Sequence, residues 1–161
     1  MIRNIYILIL LSLSYSSTLL VPDEYSTIQA AIDASSGGDS VLVSAGTYYE
    51  NINFNGKNIA VIGEDRETTI IDGGQNGSVV MFGMDEDNSA KLAGFSIING
   101  SGTYGINGFP YIYAGGILVQ NSSPTIEDII IRDNSAELAG GIFFVQSNAN
   151  ISNCIITHNT A

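Results

Sequence analysis

A chain of 161 residues with 16 Asp and Glu against 5 Lys and Arg, a net charge of −11, excludes nucleic acid as an expected partner, because phosphate backbones are held by clustered Lys and Arg. An acidic polysaccharide meets the same repulsion unless calcium bridges the two anions. The single cysteine forms no internal disulfide, so stability must come from packing, and Cys154 reads as a small buried apolar residue rather than a reactive thiol.

In chain order, Arg3 precedes an apolar run from Ile5 to Leu13, followed by small residues around Ser14-Tyr15-Ser16. Residues 1–16 read as a signal peptide, and loss of Arg3 would take the charge to −12. A membrane anchor needs about twenty apolar residues. Here Ser12, Ser14, Ser16, Ser17 and Thr18 interrupt the run, so no transmembrane segment is expected in the mature chain.

Ser26-Thr27-Ile28-Gln29 sets a hydroxyl residue three positions before Gln, which predicts a helix start with Ser26 and Gln29 satisfying free amides. Ile28, Ala31 and Ile32 share one face at helical spacing, and Gly37-Gly38 ends the helix. From Asp39 the rhythm changes to period two, with Val41 and Val43, Ile52 and Phe54, Ile59 and Val61, then Ile70 with Asp72. These strands are short and separated by Gly, Asn and Asp, and no second helix long enough for a βαβ crossover follows.

Asp85-Glu86-Asp87-Asn88 gathers oxygen donors, and Asp85 and Asp87 are the candidate ligands for calcium. Adjacent side chains of an extended segment point in opposite directions and no EF-hand spacing is present, so a solvated turn is the competing reading.

Leu92, Phe95, Ile97 and Gly100 match Ile126, Ile129, Ile131 and Asn134 at an offset of 34. The next match has an offset of 25 and no gap: Gly115-Gly116-Ile117 through Asn134-Ser135-Ala136 aligns with Gly140-Gly141-Ile142 through Asn159-Thr160-Ala161. A repeat of this length predicts a solenoid in which each coil lies about 4.8 Å above the last. Ile126/Ile151, Ile131/Ile156 and Asn134/Asn159 then stack, with Ile129/Cys154 as an apolar swap. Arg132/Thr157, Asp133/His158 and Glu127/Ser152 drift, as solvent-facing positions do. Each buried Ile contributes roughly 1.5–3 kcal/mol, so such a coil is stable only in a stack. Asn134 and Asn159 read as a hydrogen-bonded ladder.

The nine extra residues fall in the segment SGTYGINGFPYIYA, residues 101–114. Its Tyr104, Phe109, Tyr111 and Tyr113 are the candidate ligand-binding residues, since flat rings on a projecting loop stack against sugar faces. The alternative is that they fold back onto the coil beneath. Arg132, Asp133 and His158, with Asp128, are the basic and acidic groups that the register brings near one another, and they are the candidates for a lyase-type site in which an Arg acts as base.

Taken together, Ser26-Thr27-Ile28-Gln29-Ala30-Ala31-Ile32-Asp33, Ala45-Gly46-Thr47-Tyr48-Tyr49-Glu50-Asn51, Ile59-Ala60-Val61-Ile62-Gly63 and Thr69-Ile70-Ile71-Asp72-Gly73 resemble the opening of the pectin lyase-like superfamily. The Gly-Gly-Ile, Ser-Ser-Pro and Asn-Ser-Ala elements resemble the repeats of secreted bacterial β-helix proteins. The resemblance implies an all-β right-handed parallel β-helix over residues 17–161, with a short helix capping its N-terminal end and a chain that stops between coils. It implies no particular activity, because the superfamily holds lyases, hydrolases, esterases and adhesins. The paired Gln and Asp-Arg set of pectin methylesterases and the clustered aspartates and His-Gly of polygalacturonases are absent from these 161 residues. The reading is of a secreted or cell-surface β-helix that binds glycan or another surface component. The alternatives are a polysaccharide-active enzyme such as a pectate lyase-like lyase, and a structural stalk or adhesin segment.

Overall fold

The computed structural model describes residues 16–105, 108 and 110–161, so the signal-peptide reading lies outside the described residues apart from Ser16. The chain winds as a parallel coil. β1 (Thr18–Val21) is a first rung that sequence patterning did not single out, and α1 (Ile28–Ala34) follows it. The next two coils each hold three strands: β2 (Ser40–Val43), β3 (Gly46–Tyr49) and β4 (Ile52–Asn53), then β5 (Ala60–Gly63), β6 (Thr69–Asp72) and β7 (Val80–Phe82).

In the two coils after that the first two strands fuse. β8 (Lys91–Ile98) leads through the hairpin β9 (Thr103–Tyr104) and β10 (Ile112–Tyr113) to β11 (Ile117–Gln120). β12 (Thr125–Arg132) leads to β13 (Ile142–Val145), and β14 (Asn150–Ser152) and β15 (Ile155–Thr157) close the described chain. Two parallel sheets result: β1-β2-β5-β8-β12-β14, joined by β3, β6 and β15, and β4-β7-β11-β13.

The stacking expected from the repeat is present. Ile126 pairs with Ile151, Ile131 with Ile156 and Ile117 with Ile142, and the offset-34 match pairs Leu92, Phe95 and Ile97 with Ile126, Ile129 and Ile131. Val41, Val61, Leu92 and Ile126 form one inward row, and each is buried. Phe54 and Phe82 stack at 4.1 Å between ring centres at another level of the same core. Ile70 and Asp72, however, face outward, and the buried pair on β6 is Thr69 and Ile71. The phase slips by one residue because the turn before β6 sets which side chain enters the coil, and period two alone does not.

The Gly-Gly pairs have a steric cause. A Cβ on Gly115 would lie 2.4 Å from the Gly140 carbonyl oxygen, and one on Gly116 2.6 Å from that of Gly141. Coils meet backbone to backbone there.

The helix start differs from the expected box. Thr27 is the cap, its Oγ1 accepting from the Ala30 amide at 3.1 Å, while the Glu50 carboxylate takes the amides of Ile28 and Gln29 at 2.9 Å each. A tertiary acid thus replaces the local Gln, and the Gln29 side chain donates instead to Asp33 and to the Asn53 carbonyl. The helix ends at Ser35, before the glycines, where Lys57 Nζ donates to the carbonyls of Ile32, Asp33 and Ser35. Ile28, Ala31 and Ile32 are buried as their spacing required, and α1 packs on β1, β2 and β4 to cover the N-terminal end of the core.

Candidate functional site

The insertion is an antiparallel hairpin, with Ile112 opposite Tyr104 and Tyr113 opposite Thr103. It folds onto an outward row of the second sheet. Met81, Leu118 and Phe143 are in register on β7, β11 and β13, and Tyr113, only 6% exposed, packs against this cluster with its ring 4.9 Å from Phe143. Tyr113 is therefore an anchor. Tyr111, two residues earlier on the same strand face, meets it edge-on at 6.4 Å and remains 48% exposed.

Tyr104 is 69% exposed but shares its face with Ile112, opposite to that of Tyr111. The four rings expected as one platform thus divide: one buried, two on opposite faces, and Phe109 outside the described residues. The Ile112 amide donates to Glu137 at 2.9 Å, tying the hairpin to the next coil.

In the acidic turn, Asp85 and Asp87 point to solvent, and Asp87 is occupied by the Ser89 amide and hydroxyl at 2.8 and 2.5 Å. Those bonds lower its pKa from the ordinary aspartate value. Glu86 between them is buried. Its carboxylate accepts from the Gly56 amide, the Met84 amide and the Ser122 hydroxyl at 2.9, 2.9 and 2.6 Å, and its own carbonyl accepts from the Ser123 amide at 2.7 Å. Burial alone would raise the Glu86 pKa, but these donors together outweigh it and bring the value below normal. Among the described residues no group of three or more His, Cys, Asp or Glu is placed to hold a metal ion.

Arg132 and Asp133 lie at the end of β12, and His158 stands at the equivalent position one coil on. Arg132 pairs with its neighbour Asp133, His158 Nδ1 is 3.0 Å from Thr157 Oγ1, and the Asp133 amide donates to the His158 carbonyl at 3.2 Å. Asp133 and His158 both have positive φ, 58° and 53°, so their exchange reflects turn geometry as well as solvent exposure. Asp128 belongs to another group. Its Oδ1 accepts from Arg66 at 3.0 Å and from Asn153 at 2.8 Å. Arg66 reaches there from the turn after β5, a contact no local pattern signals.

Asn134 is 2% exposed and forms the expected ladder. It donates to Asn159 Oδ1 and to the Ile97 carbonyl, each at 3.0 Å, and accepts from the Gly100 amide at 2.8 Å.

One concavity had no expectation attached. Leu20, Leu42 and Ile62, the outward phase of β1, β2 and β5, floor a groove of about 510 Å³ edged by Asp23, Ser44 and Glu64. The available signal was that these strands are apolar at consecutive positions, so both their faces are apolar.

No protein-family model matches the chain, and no curated protein matches it. Solved structures do. A pectin methylesterase variant in complex with a hexasaccharide superposes with a TM-score of 0.63 at 12% identity, covering 90% of this chain and 50% of that one. A second pectin methylesterase complex with a hexasaccharide gives 0.58 at 15%, covering 91% and 56%, and a pectin methylesterase from Erwinia chrysanthemi gives 0.53 at 14%, covering 90% and 50%. This chain spans about half the length of those enzymes. At such identities the likeness is one of architecture: the chain folds as a right-handed parallel β-helix, with one short α-helix among the described residues.

Proposed function

We propose that this chain is an extracellular or surface-displayed β-helix that binds polysaccharide without transforming it, and that hairpin β9–β10 meets the sugar. The observation that carries the reading is the pairing of a buried anchor, Tyr113, with an exposed ring held against it, Tyr111. A ring fixed in this way offers a flat apolar face with little rotamer entropy left to lose. The acidic surface favours a neutral or esterified glycan over a polyuronate.

In affinity electrophoresis through gels containing highly methyl-esterified pectin or a neutral glucan, the protein should be retarded. Tyr111→Ala should weaken retardation roughly 3- to 10-fold. Unchanged migration of Tyr111→Ala in a gel that retards the parent removes the hairpin as the site.

A second reading, that the chain belongs to a pectin-active enzyme, is favoured by the extent of its likeness to pectin methylesterases. It predicts methanol release from methyl-esterified pectin, or, for a lyase, unsaturated product from polygalacturonate that needs calcium and disappears in Arg132→Ala. Neither product from the folded protein would mean that these 161 residues do not by themselves act on those two substrates.

A further inference from the structure

We propose that the groove on the outer face of β1, β2 and β5 is a binding site for an aliphatic diamine or polyamine. Leu20 pairs in register with Leu42, and Leu42 with Ile62, so three aliphatic side chains form one outward row running along the helix axis. Leu20 and Leu42 are 36% and 39% exposed, and the row ends at Ala93, which is buried. Val21, Val43 and Gly63 are stacked in the same register, and the residues just after them carry the polar edge: Asp23 in the first coil, Ser44 in the second and Glu64 in the third.

Two carboxylates two coils apart are separated by about 10 Å along the axis, with the aliphatic row between their levels. Neither is in an ion pair among the described residues. Glu64 accepts from the Ala45 amide at 2.9 Å, which fixes one of its oxygens and leaves the other to a ligand. No Lys or Arg lines the groove. Carboxylates dominate the field at this edge: the Tyr48 phenol, bonded to the Ser44 carbonyl, has its pKa raised by burial first and then by Glu50, Asp23 and Glu64, while the nearest cations, Arg66 and Lys91, are paired with Asp128 and Glu127.

An occupant must therefore lay methylenes on the leucine row and present positive charge at both ends. A flexible polymethylene chain with terminal ammonium groups has that form, as lysine stems do on apolar surfaces. A sugar would find no aromatic ring on this floor. The site is separate from the hairpin and does not depend on the glycan reading.

The test is isothermal titration of the full chain at low salt with 1,5-diaminopentane and spermidine, using pentylamine as a one-charge control. Saturable binding of the diamine and of the triamine, each stronger than that of pentylamine, is expected. Asp23→Asn and Glu64→Gln should each weaken it roughly two- to fivefold, and Leu42→Ser should do likewise. Asp85→Asn, which removes the same charge elsewhere, should leave it unchanged, and circular dichroism melts would confirm that each variant is folded. Absence of saturable heat, equal binding of pentylamine, or equal loss in Asp85→Asn would each overturn the proposal, the last by showing general attraction to an acidic protein.

Discussion

At the residue scale, the side chains that matter most for stability are buried polar groups bonding across coils. Asn134 connects three rungs, and truncating it strands the Gly100 amide and the Ile97 carbonyl in the core. Asn134→Ala should lower unfolding free energy by about 2–4 kcal/mol in urea titrations, counting two orphaned groups. Glu86 makes a pH-dependent contribution. Its folded pKa lies below the ordinary value of 4.5, so its stabilisation is complete above that value and is lost as pH falls through the folded pKa. Glu86→Gln should be less stable by about 1–3 kcal/mol at pH 7, since an amide cannot accept from every donor in that cage. The difference from the parent should narrow as pH falls below 4.5 and through the folded pKa. A difference that stays constant down to acid unfolding would deny Glu86 the role. The Asn ladder was legible from sequence because both members fall at one repeat offset. The Glu86 cage was not, because its donors Gly56, Met84 and Ser122 come from three separate turns.

At the element scale, the Gly-Gly-Ile motif marks where successive coils touch through their backbones. Gly116→Ala should destabilise by about 1–3 kcal/mol, because the intruding methyl meets a carbonyl oxygen that has nowhere to move. Gly37 has open space around its Cβ position and no positive φ, so Gly37→Ala should be neutral or slightly stabilising. Thermal melts of the two variants distinguish a packing glycine from an incidental one. Strand patterning in sequence was reliable where both neighbouring coils repeat the phase, as for Val41, Val61 and Leu92. It slipped at Ile70, where the turn sets the phase. The hairpin shows the same division: its position follows from the nine-residue excess, but which tyrosine is anchor and which is exposed depends on the Met81, Leu118 and Phe143 row beneath it.

At the scale of the whole molecule, the core exists only through stacking. Ile131 is fully buried between rungs, in register with Ile97 on one side and Ile156 on the other. Ile131→Ala should therefore cost about 2–5 kcal/mol by chemical denaturation. A cost under about 1 kcal/mol would mean that stacking does not set the energy. The sequence by itself determined the coil, the 25-residue match of its last repeats, the Asn ladder and the short helix, because these depend on residue types recurring at fixed offsets. Only the tertiary structure decided which groups share a site. It separated Asp128 from Asp133, turned Glu86 inward, split the tyrosines across two faces, and lined up Leu20, Leu42 and Ile62 beside Asp23 and Glu64. The physical reason is that a solenoid brings together residues a whole coil apart, over turns of unequal length, so adjacency on its surface follows the register between coils and not distance along the chain.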